Sequence, residues 1–188
     1  HEEGTLWIPP FNHPDIIAGQ GTVTLEALQQ LAETGVEPDG VFAPCGGGGL
    51  LSGAIIATKA RLPNAEVVGA EPLNANDAAR SLQSGKIERL DGPPDTLADG
   101  AATPAIDFYE VEEQQIAYWT QWLHHLLKLH IEPTCAMTMA AVAAWLSDKP
   151  ANQKVLVLLS GGNISQASMQ KIWQQDYLTQ PPIMNPEA

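Results

Sequence analysis

The chain has 188 residues, 44% hydrophobic and 16% charged, which is the composition of a globular protein with one substantial core. Its formal net charge of -13 argues against a nucleic-acid partner, because that affinity depends on Lys and Arg neutralising phosphates. No apolar run approaches the roughly 18 to 20 residues of a membrane-spanning helix, and no secretory signal is visible, so we expect a cytoplasmic protein that does not bind membranes.

The apolar pattern predicts alternating helices and strands. The first helix is expected after Gly21, with Thr22 or Thr24 as its cap and Gly35 at its end. Further strands are predicted at residues 41–43, 66–70, 108–111 and 154–159, and further helices at residues 50–61, 76–84, 112–130, 134–146 and 165–175. This order predicts an α/β fold with an open, mostly parallel sheet flanked by helices.

Two segments receive more specific predictions. The last strand is apolar throughout, so we expect it to be buried on both faces of the sheet. Residues 1–176 are interpreted as part of a single larger domain. Residues 177–188, which contain three prolines, are expected to form a mobile tail.

Four consecutive glycines, Gly46, Gly47, Gly48 and Gly49, lie between a predicted strand and the helix that starts near Leu50. Glycines allow backbone conformations that other residues avoid, and their N–H groups can converge on an anion. A helix N-terminus adds unpaired donors and the positive end of its dipole. The loop therefore indicates a phosphate site, and the alternative is a tight turn without a ligand.

A second glycine turn, Ser160-Gly161-Gly162-Asn163, follows the last predicted strand. Ligands of parallel α/β sheets bind outside the carboxyl ends of the strands, so both turns can face one ligand.

Two common nucleotide sites fit the glycine loop less well. A dinucleotide fingerprint requires G-x-G-x-x-G and an acidic residue about twenty positions later. Glu71 stands at a suitable position for that acidic residue, but the spacing of the glycines does not match G-x-G-x-x-G. A Walker loop is excluded because no Gly-Lys-Ser/Thr follows. A small phosphate ester is the better match.

Seven segments, taken in order, resemble the fold-type II pyridoxal-phosphate enzymes, and among them the serine/threonine dehydratases and serine racemase. The segments are Pro10-Phe11-Asn12, Ala18-Gly19-Gln20-Gly21-Thr22, Gly46-Gly47-Gly48-Gly49-Leu50 with Ser52-Gly53, Ala70-Glu71-Pro72, Ala98-Asp99-Gly100, Ile131-Glu132-Pro133-Thr134 and Ser160-Gly161-Gly162-Asn163. The resemblance covers about residues 10–173 and implies a tryptophan synthase β-like fold that is incomplete on its N-terminal side.

The resemblance implies pyridoxal 5'-phosphate as the cofactor. The four glycines and Leu50 would hold its phosphate, and Ser160, followed by Gly161, would hydrogen-bond its pyridine nitrogen. Gly100 would lie near the ring and Glu132 near the cofactor edge. A neutral hydroxyl at the nitrogen moderates electron withdrawal, which suits elimination of a β-hydroxyl to give a keto acid and ammonia.

The resemblance also implies a divalent cation site. Glu71, Asp77 and the carbonyl of Ala75 match the positions that bind a cation in racemase-like members, and oxygen ligands suit Mg²⁺, Mn²⁺ or Ca²⁺. The alternative is that both carboxylates are solvated at a helix start.

The family's Schiff-base lysine lies in an N-terminal Ser-x-Lys-x-Arg type segment, which is absent from this sequence. The six lysines stand in other contexts: Lys59, Lys86, Lys128, Lys149, Lys154 and Lys171. We therefore interpret the chain as the C-terminal part of such an enzyme and expect it to be inactive alone. Its expected partners are the missing N-terminal part, a small hydroxy amino acid such as L-threonine or L-serine, and a second subunit in a homodimer. An amino-acid racemase of the same family and a non-catalytic phosphate-binding module are the alternatives.

Other residues carry weaker signals. His124, His125 and His130 lack the spacing of a zinc-binding helix, so packing or surface roles are expected. Three tryptophans are interpreted as core or subunit contacts: Trp119, Trp122 and Trp145.

Overall fold

The computed structural model describes residues 8–92, 95–96 and 107–184. The strands are β1 (Gly40–Pro44), β2 (Glu66–Pro72), β3 (Asp107–Val111) and β4 (Val155–Val157). The helices are α1 (Pro14–Glu33), α2 (Gly49–Arg61), α3 (Asp77–Ser84), α4 (Glu113–Leu127), α5 (Pro133–Ala136), α6 (Thr138–Ser147) and α7 (Gln166–Ile172), and a 3₁₀ turn (Leu73–Ala75) links β2 to α3. None of the helices in the described part of the chain has the length and hydropathy required to cross a bilayer.

The four strands form one parallel sheet in the order β3-β2-β1-β4. Val41 of β1 lies opposite Val67 of β2 on one side and Leu156 of β4 on the other. The α/β class and the parallel pairing predicted from the sequence are confirmed. Because all strands run the same way, their carboxyl ends, and the loops that follow them, share one edge of the sheet.

Helices cover both faces of the sheet. Phe42 and Val68 point towards α4 and α6, where the rings of Phe42 and Trp145 meet edge to face with centroids 5.5 Å apart. Val41 and Val67 point the other way, towards Leu51 of α2 and its neighbours. The three tryptophans interpreted as packing residues, Trp119, Trp122 and Trp145, are buried in the first of these clusters.

Helix α1 packs on α2 through two glycines. A Cβ at Gly53 would lie 2.5 Å from the backbone nitrogen of Gly21 and 2.6 Å from the carbonyl oxygen of Ile17. The two helix backbones are therefore in direct contact at this crossing. The contact fixes α1 beside the start of α2, where Gln20 reaches the glycine loop.

The predicted start of the first helix is wrong. Helix α1 begins at Pro14, because His13 caps it: its Nδ1 accepts a hydrogen bond of 3.3 Å from the backbone nitrogen of Asp15. Thr22 lies inside the helix, where its hydroxyl donates to the carbonyl of Gly19. The single helix predicted at residues 134–146 is also two helices, which meet at Met137.

Strand β4 differs from its prediction as well. Within the described part of the chain it is an edge strand, and Val155, Leu156 and Val157 are only half-buried.

The residues after α7 contact α4. Gln121 Oε1 accepts a hydrogen bond from the backbone nitrogen of Tyr177, and the indole of Trp122 donates to the Tyr177 carbonyl at 3.1 Å. Farther along, the hydroxyl of Tyr118 donates to the carbonyl of Gln180. The mobility expected for residues 177–188 stays a prediction.

Candidate functional site

A cleft of about 580 Å³ opens at the carboxyl edge of the sheet. Its walls come from both glycine turns, from α1 and from the segments that precede α1 and α5. The lining residues are Pro10, Phe11, Gly19, Gln20, Val23, Pro44, Gly46, Gly47, Gly48, Gly49, Leu50, Glu132, Thr134, Leu159 and Ser160. The structure thus brings the four glycines, Leu50, Glu132 and Ser160 to one cavity, whereas Gly100 lies outside the described residues.

The glycine loop presents the amino end of α2 to this cleft. Gly48 has a φ of 76°, the left-handed conformation that glycine adopts without strain, and it is the N-cap of α2. The helix begins where the backbone nitrogen of Ser52 donates to the Gly48 carbonyl at 2.8 Å, and no side chain caps the first turn in the described structure. An anion in the cleft would therefore meet backbone donors and the positive end of the helix dipole.

The loop has no room for side chains. A Cβ at Gly47 would lie 2.1 Å from Cδ1 of the Phe11 ring, and a Cβ at Gly49 would lie 3.0 Å from Gln20 Oε1. Gln20 also donates through Nε2 to the carbonyl of Pro10 at 3.3 Å. Phe11 and Gln20 were not predicted as site residues, although both belong to segments on which the family resemblance rests.

The opposite wall joins α5 to the second glycine turn. The backbone nitrogen of Glu132 donates to the Gly161 carbonyl at 3.1 Å, and a Cβ at Gly161 would lie 2.4 Å from Glu132 Cδ. The thiol of Cys135 donates to the carbonyls of Glu132 and Gly161 at 3.2 and 3.3 Å. Burial raises the pKa of the Cys135 thiol, which keeps it protonated as a donor. Ser160 is exposed in the cleft beside this wall.

Among the described lining residues, Glu132 carries the only ionisable side chain. Therefore no Lys or Arg among the described lining residues is available to bind a phosphate in the cleft. Backbone amides, the α2 dipole and neutral polar side chains are the groups that can bind it there.

Neither Glu71 nor Asp77 lines this cleft: Glu71 lies near the end of β2, and Asp77 begins α3. Glu71 is completely buried, and its carboxylate accepts hydrogen bonds from the backbone nitrogens of Ala79 at 2.7 Å and Ala78 at 3.3 Å. Burial raises the pKa of Glu71 to about 7 despite these amides. The pKa of Asp77 is also raised by burial.

The alternative that these two carboxylates are solvated is wrong, because Asp77 is only 7% exposed and Glu71 is buried. Asp77 Oδ1 has no hydrogen-bond partner among the described residues. Those residues contain no cluster of three or more His, Cys, Asp or Glu that could hold a metal ion. Two buried carboxylates with an unsatisfied oxygen, beside the buried Ala75, nevertheless fit a hard cation that also takes carbonyl and water ligands.

Residues 1–161 match the model of a protein family described as pyridoxal-phosphate dependent enzyme. The chain belongs to this family. The resemblance to the fold-type II enzymes, and to the serine/threonine dehydratases and serine racemase among them, is confirmed.

Known members of the family are similar over most of the chain. The serine racemase of Dictyostelium discoideum is 40% identical over 179 residues, which cover 88% of this chain and 54% of that protein. The L-threo-3-hydroxyaspartate ammonia-lyase of Saccharomyces cerevisiae is 35% identical over 176 residues, covering 87% of this chain and 52% of that protein. The crystal structure of a threonine deaminase from T.th. superimposes with a TM-score of 0.77 and 41% identity, covering 83% of this chain and 61% of that one.

The chain spans about half the length of the curated relatives it matches. The family implies pyridoxal phosphate as the cofactor, and these relatives are a serine racemase and an ammonia-lyase.

Proposed function

We propose that this chain is the cofactor-binding part of a pyridoxal-phosphate-dependent ammonia-lyase that acts on L-serine, L-threonine or a related hydroxy amino acid. The convergence of the tetraglycine loop and Ser160 on one cleft is the observation that carries this proposal. The volume of the cleft, about 580 Å³, is in the range of small-molecule sites.

The residues present fit the cofactor. The phosphate would bind the N–H groups of the four glycines and Leu50, where Gly47 and Gly49 leave no space for a Cβ. Ser160 would donate a hydrogen bond to the pyridine nitrogen, and Glu132 with the Gly161 turn would border the ring, as would Gly100 outside the described residues. The chemistry supplied by the bound cofactor is withdrawal of electrons from the amino-acid Cα.

A neutral partner at the ring nitrogen suits elimination. The Ser160 hydroxyl can donate without placing a charge beside the ring, so electron withdrawal stays moderate. The exposed Ser160 side chain and the half-buried Glu132 are the polar groups that would orient the ring between the two walls.

We propose that the family's Schiff-base lysine lies in the part of the full-length enzyme that this chain does not span. Each described lysine lies outside the lining of the cleft. Lys59 donates to the carbonyls of Pro63 and Ala65, and Lys149 pairs with Glu66 at 2.6 Å. The chain alone is therefore expected to bind the phosphate end of the cofactor without catalysing elimination.

A racemase is the second candidate, because a serine racemase is 40% identical to this chain. Both reactions begin with removal of the Cα proton, so the residues of the cleft serve either outcome. The two differ in the next step: a lyase expels the β-hydroxyl, whereas a racemase returns a proton to Cα from the opposite face.

Three further elements belong to the proposal. Glu71, Asp77 and the Ala75 carbonyl would hold Mg²⁺, Mn²⁺ or Ca²⁺, which the unsatisfied Asp77 oxygen supports. A homodimer is proposed from the family resemblance, and a cytoplasmic location from the composition.

The test is an assay of the chain extended by the upstream residues of its gene product. Release of keto acid from L-serine, L-threonine or 3-hydroxyaspartate, measured with and without EDTA, is the expected result. Formation of D-serine without any keto acid would reject the lyase and favour the racemase. Neither product would favour a non-catalytic phosphate-binding module.

A further inference from the structure

A third carboxylate, that of Glu110, lies beside the two that are proposed to hold a cation. Glu71 of β2 and Glu110 of β3 stand directly opposite each other in the parallel ladder. Opposed residues of neighbouring strands project their side chains to the same face of a sheet. Glu110 is therefore the neighbour of Glu71 on that face, and it is exposed whereas Glu71 is completely buried.

Glu71 performs the capping of α3 that its N-cap residue, Asn76, would ordinarily perform. An asparagine at the N-cap accepts a hydrogen bond from the second or third backbone nitrogen of the helix. Those nitrogens belong to Ala78 and Ala79, and both donate to the Glu71 carboxylate. The side chain of Asn76 makes no capping bond, so its amide is available for a different contact.

That contact is made by Glu110. Asn76 Nδ2 donates to Glu110 Oε1 at 2.5 Å, which ties β3 to the turn that enters α3. Asn76 stands between Ala75, whose carbonyl is a proposed ligand, and Asp77. The hydrogen bond therefore holds the stretch of backbone that carries two of the three proposed ligands.

A buried oxygen at this turn points to a ligand. Asp77 is only 7% exposed, and its Oδ1 has no hydrogen-bond partner among the described residues. A buried carboxylate oxygen without a partner is unfavourable, and a cation would satisfy it.

Glu110 is not itself placed as a ligand. The part of the chain that the structure describes contains no cluster of three or more His, Cys, Asp or Glu that could hold a metal ion. Any effect of Glu110 on the ion must therefore come from outside its coordination sphere, through the hydrogen bond to Asn76 and through its charge.

We propose that Glu110 is a positioning residue of the cation site, which fixes residues 75–77 through Asn76 and adds a third negative charge that favours ions of higher charge. The inference rests on the cation site in the proposed function and extends it, because Glu110 is not among the three ligands proposed there.

The charge of the bound ion separates the two effects. A fixed negative charge attracts a trivalent ion about one and a half times as strongly as a divalent ion at the same distance. Ca²⁺ and Tb³⁺ are similar in size, and both prefer oxygen ligands. Loss of the charge should therefore weaken the binding of Tb³⁺ more than that of Ca²⁺, whereas loss of the position of the turn should weaken both alike.

Glu110→Gln removes the charge and keeps an oxygen that can accept from Asn76. In calorimetric titrations of the chain we expect the affinity to fall about fivefold for Ca²⁺ and about tenfold for Tb³⁺. Glu33→Gln is the matched control, because Glu33 is exposed at the last position of α1 and the same change of charge there should leave both affinities unchanged.

Asn76→Ala removes the hydrogen bond and keeps all three carboxylates. We expect the affinities for Ca²⁺ and Tb³⁺ to fall by the same factor, about fivefold. The melting temperature of the ion-free chain should change little, because the Asn76 side chain does not cap α3.

The outcomes distinguish this inference from the cation site on which it rests. If the wild type binds both ions and Glu110→Gln binds them equally well, the inference is wrong and the cation site stands. Equal losses for Ca²⁺ and Tb³⁺ in Glu110→Gln would overturn the role of the charge, and unchanged affinities in Asn76→Ala would overturn the positioning role. A wild type that is folded by circular dichroism and binds neither ion would reject the cation site and this inference together.

Discussion

The carboxylate of Glu132 occupies the space in which Gly161 would carry a side chain. A Cβ at Gly161 would lie 2.4 Å from both Cδ and Oε1 of Glu132. The Cys135 thiol ties the same two residues through their carbonyls. The start of α5 and the second glycine turn therefore form one wall of the cleft, and a change on either side reaches the other.

Gly161→Ala is expected to disturb the cleft more than the fold. The new methyl group meets the end of a flexible side chain, so Glu132 can swing aside and the free energy of unfolding falls by less than about 1 kcal/mol. Because Glu132 then leaves its position in the cleft wall, we expect the affinity for the cofactor to fall about fivefold. A loss of this size corresponds to one hydrogen bond. Gly162→Ala is the control, because its Cβ would lie 2.5 Å from the His130 carbonyl oxygen and backbone cannot yield so easily. We expect Gly162→Ala to cost about 1 to 3 kcal/mol in denaturant unfolding. Equal losses in the free energy of unfolding for Gly161→Ala and Gly162→Ala would contradict this account.

Gly53→Ala is expected to destabilise the packing of α1 on α2. The added Cβ would approach backbone atoms of Gly21 and Ile17 to 2.5 and 2.6 Å, so the helices must separate. We expect a loss of about 1 to 3 kcal/mol in the free energy of unfolding. Gly19→Ala, in the same helix pair, has nothing within 4 Å of the new Cβ and should gain about 0.5 to 1 kcal/mol from helix propensity. A neutral Gly53→Ala would show that the two backbones are farther apart than the structure places them.

The stability of the metal-free chain is expected to fall as pH rises from about 4.5 to 7. Burial raises the pKa of Glu71 from 4.5 to about 7, so in this window the folded state holds a proton that the unfolded state has lost. The stabilisation is complete below pH 4.5 and disappears as pH passes 7, a change of about 3 kcal/mol for a shift of this size. Asp77, whose pKa is also raised by burial, acts in the same direction. Unfolding free energies measured in EDTA should show this slope, and Glu71→Gln should flatten it. If the unfolding free energy of Glu71→Gln depended on pH as steeply as that of the wild type, other groups would be the cause of the slope.

A divalent cation is expected to reverse that loss. Mg²⁺, Mn²⁺ or Ca²⁺ bound by Glu71 and Asp77 would favour their charged forms, so the melting temperature should rise more at pH 8 than at pH 5. At a hundred times its dissociation constant the ion should add about 2.7 kcal/mol. Glu71→Gln should abolish the rise, whereas Glu66→Gln should retain it, because Glu66 pairs with Lys149 at the opposite end of β2. The cation site is rejected if Glu71→Gln responds as the wild type does.

The part of the site that could be predicted from sequence depends on local pattern. The glycine loop follows the apolar residues of β1 directly, and Ser160 follows β4, so parallel strands alone bring both to one edge. The chain order of strands and helices also predicted that the sheet is parallel.

The rest depends on tertiary contacts that leave no local signal. Glu71 looks like a solvated carboxylate at a helix start, yet the fold buries it and shifts its pKa. Phe11 reaches the loop because α1 begins eight residues before the predicted cap at Thr22, with His13 as its cap. Leu156 has the sequence context of an interior residue, yet it is half-buried because β4 is an edge strand among the described residues.

Binding of pyridoxine 5'-phosphate tests the central claim most directly, because this compound has the cofactor's phosphate and ring but no aldehyde to react with a lysine. Calorimetric titration of the chain should show that it binds at least tenfold more tightly than pyridoxine. Gly47→Ala should weaken this preference, since its Cβ would overlap the Phe11 ring and the loop must shift to make room. The double variant Gly47→Ala with Phe11→Ala, which relieves the contact with the ring, should restore part of it. Equal affinity of the wild type for pyridoxine and its phosphate would contradict the assignment of the tetraglycine loop as the phosphate site.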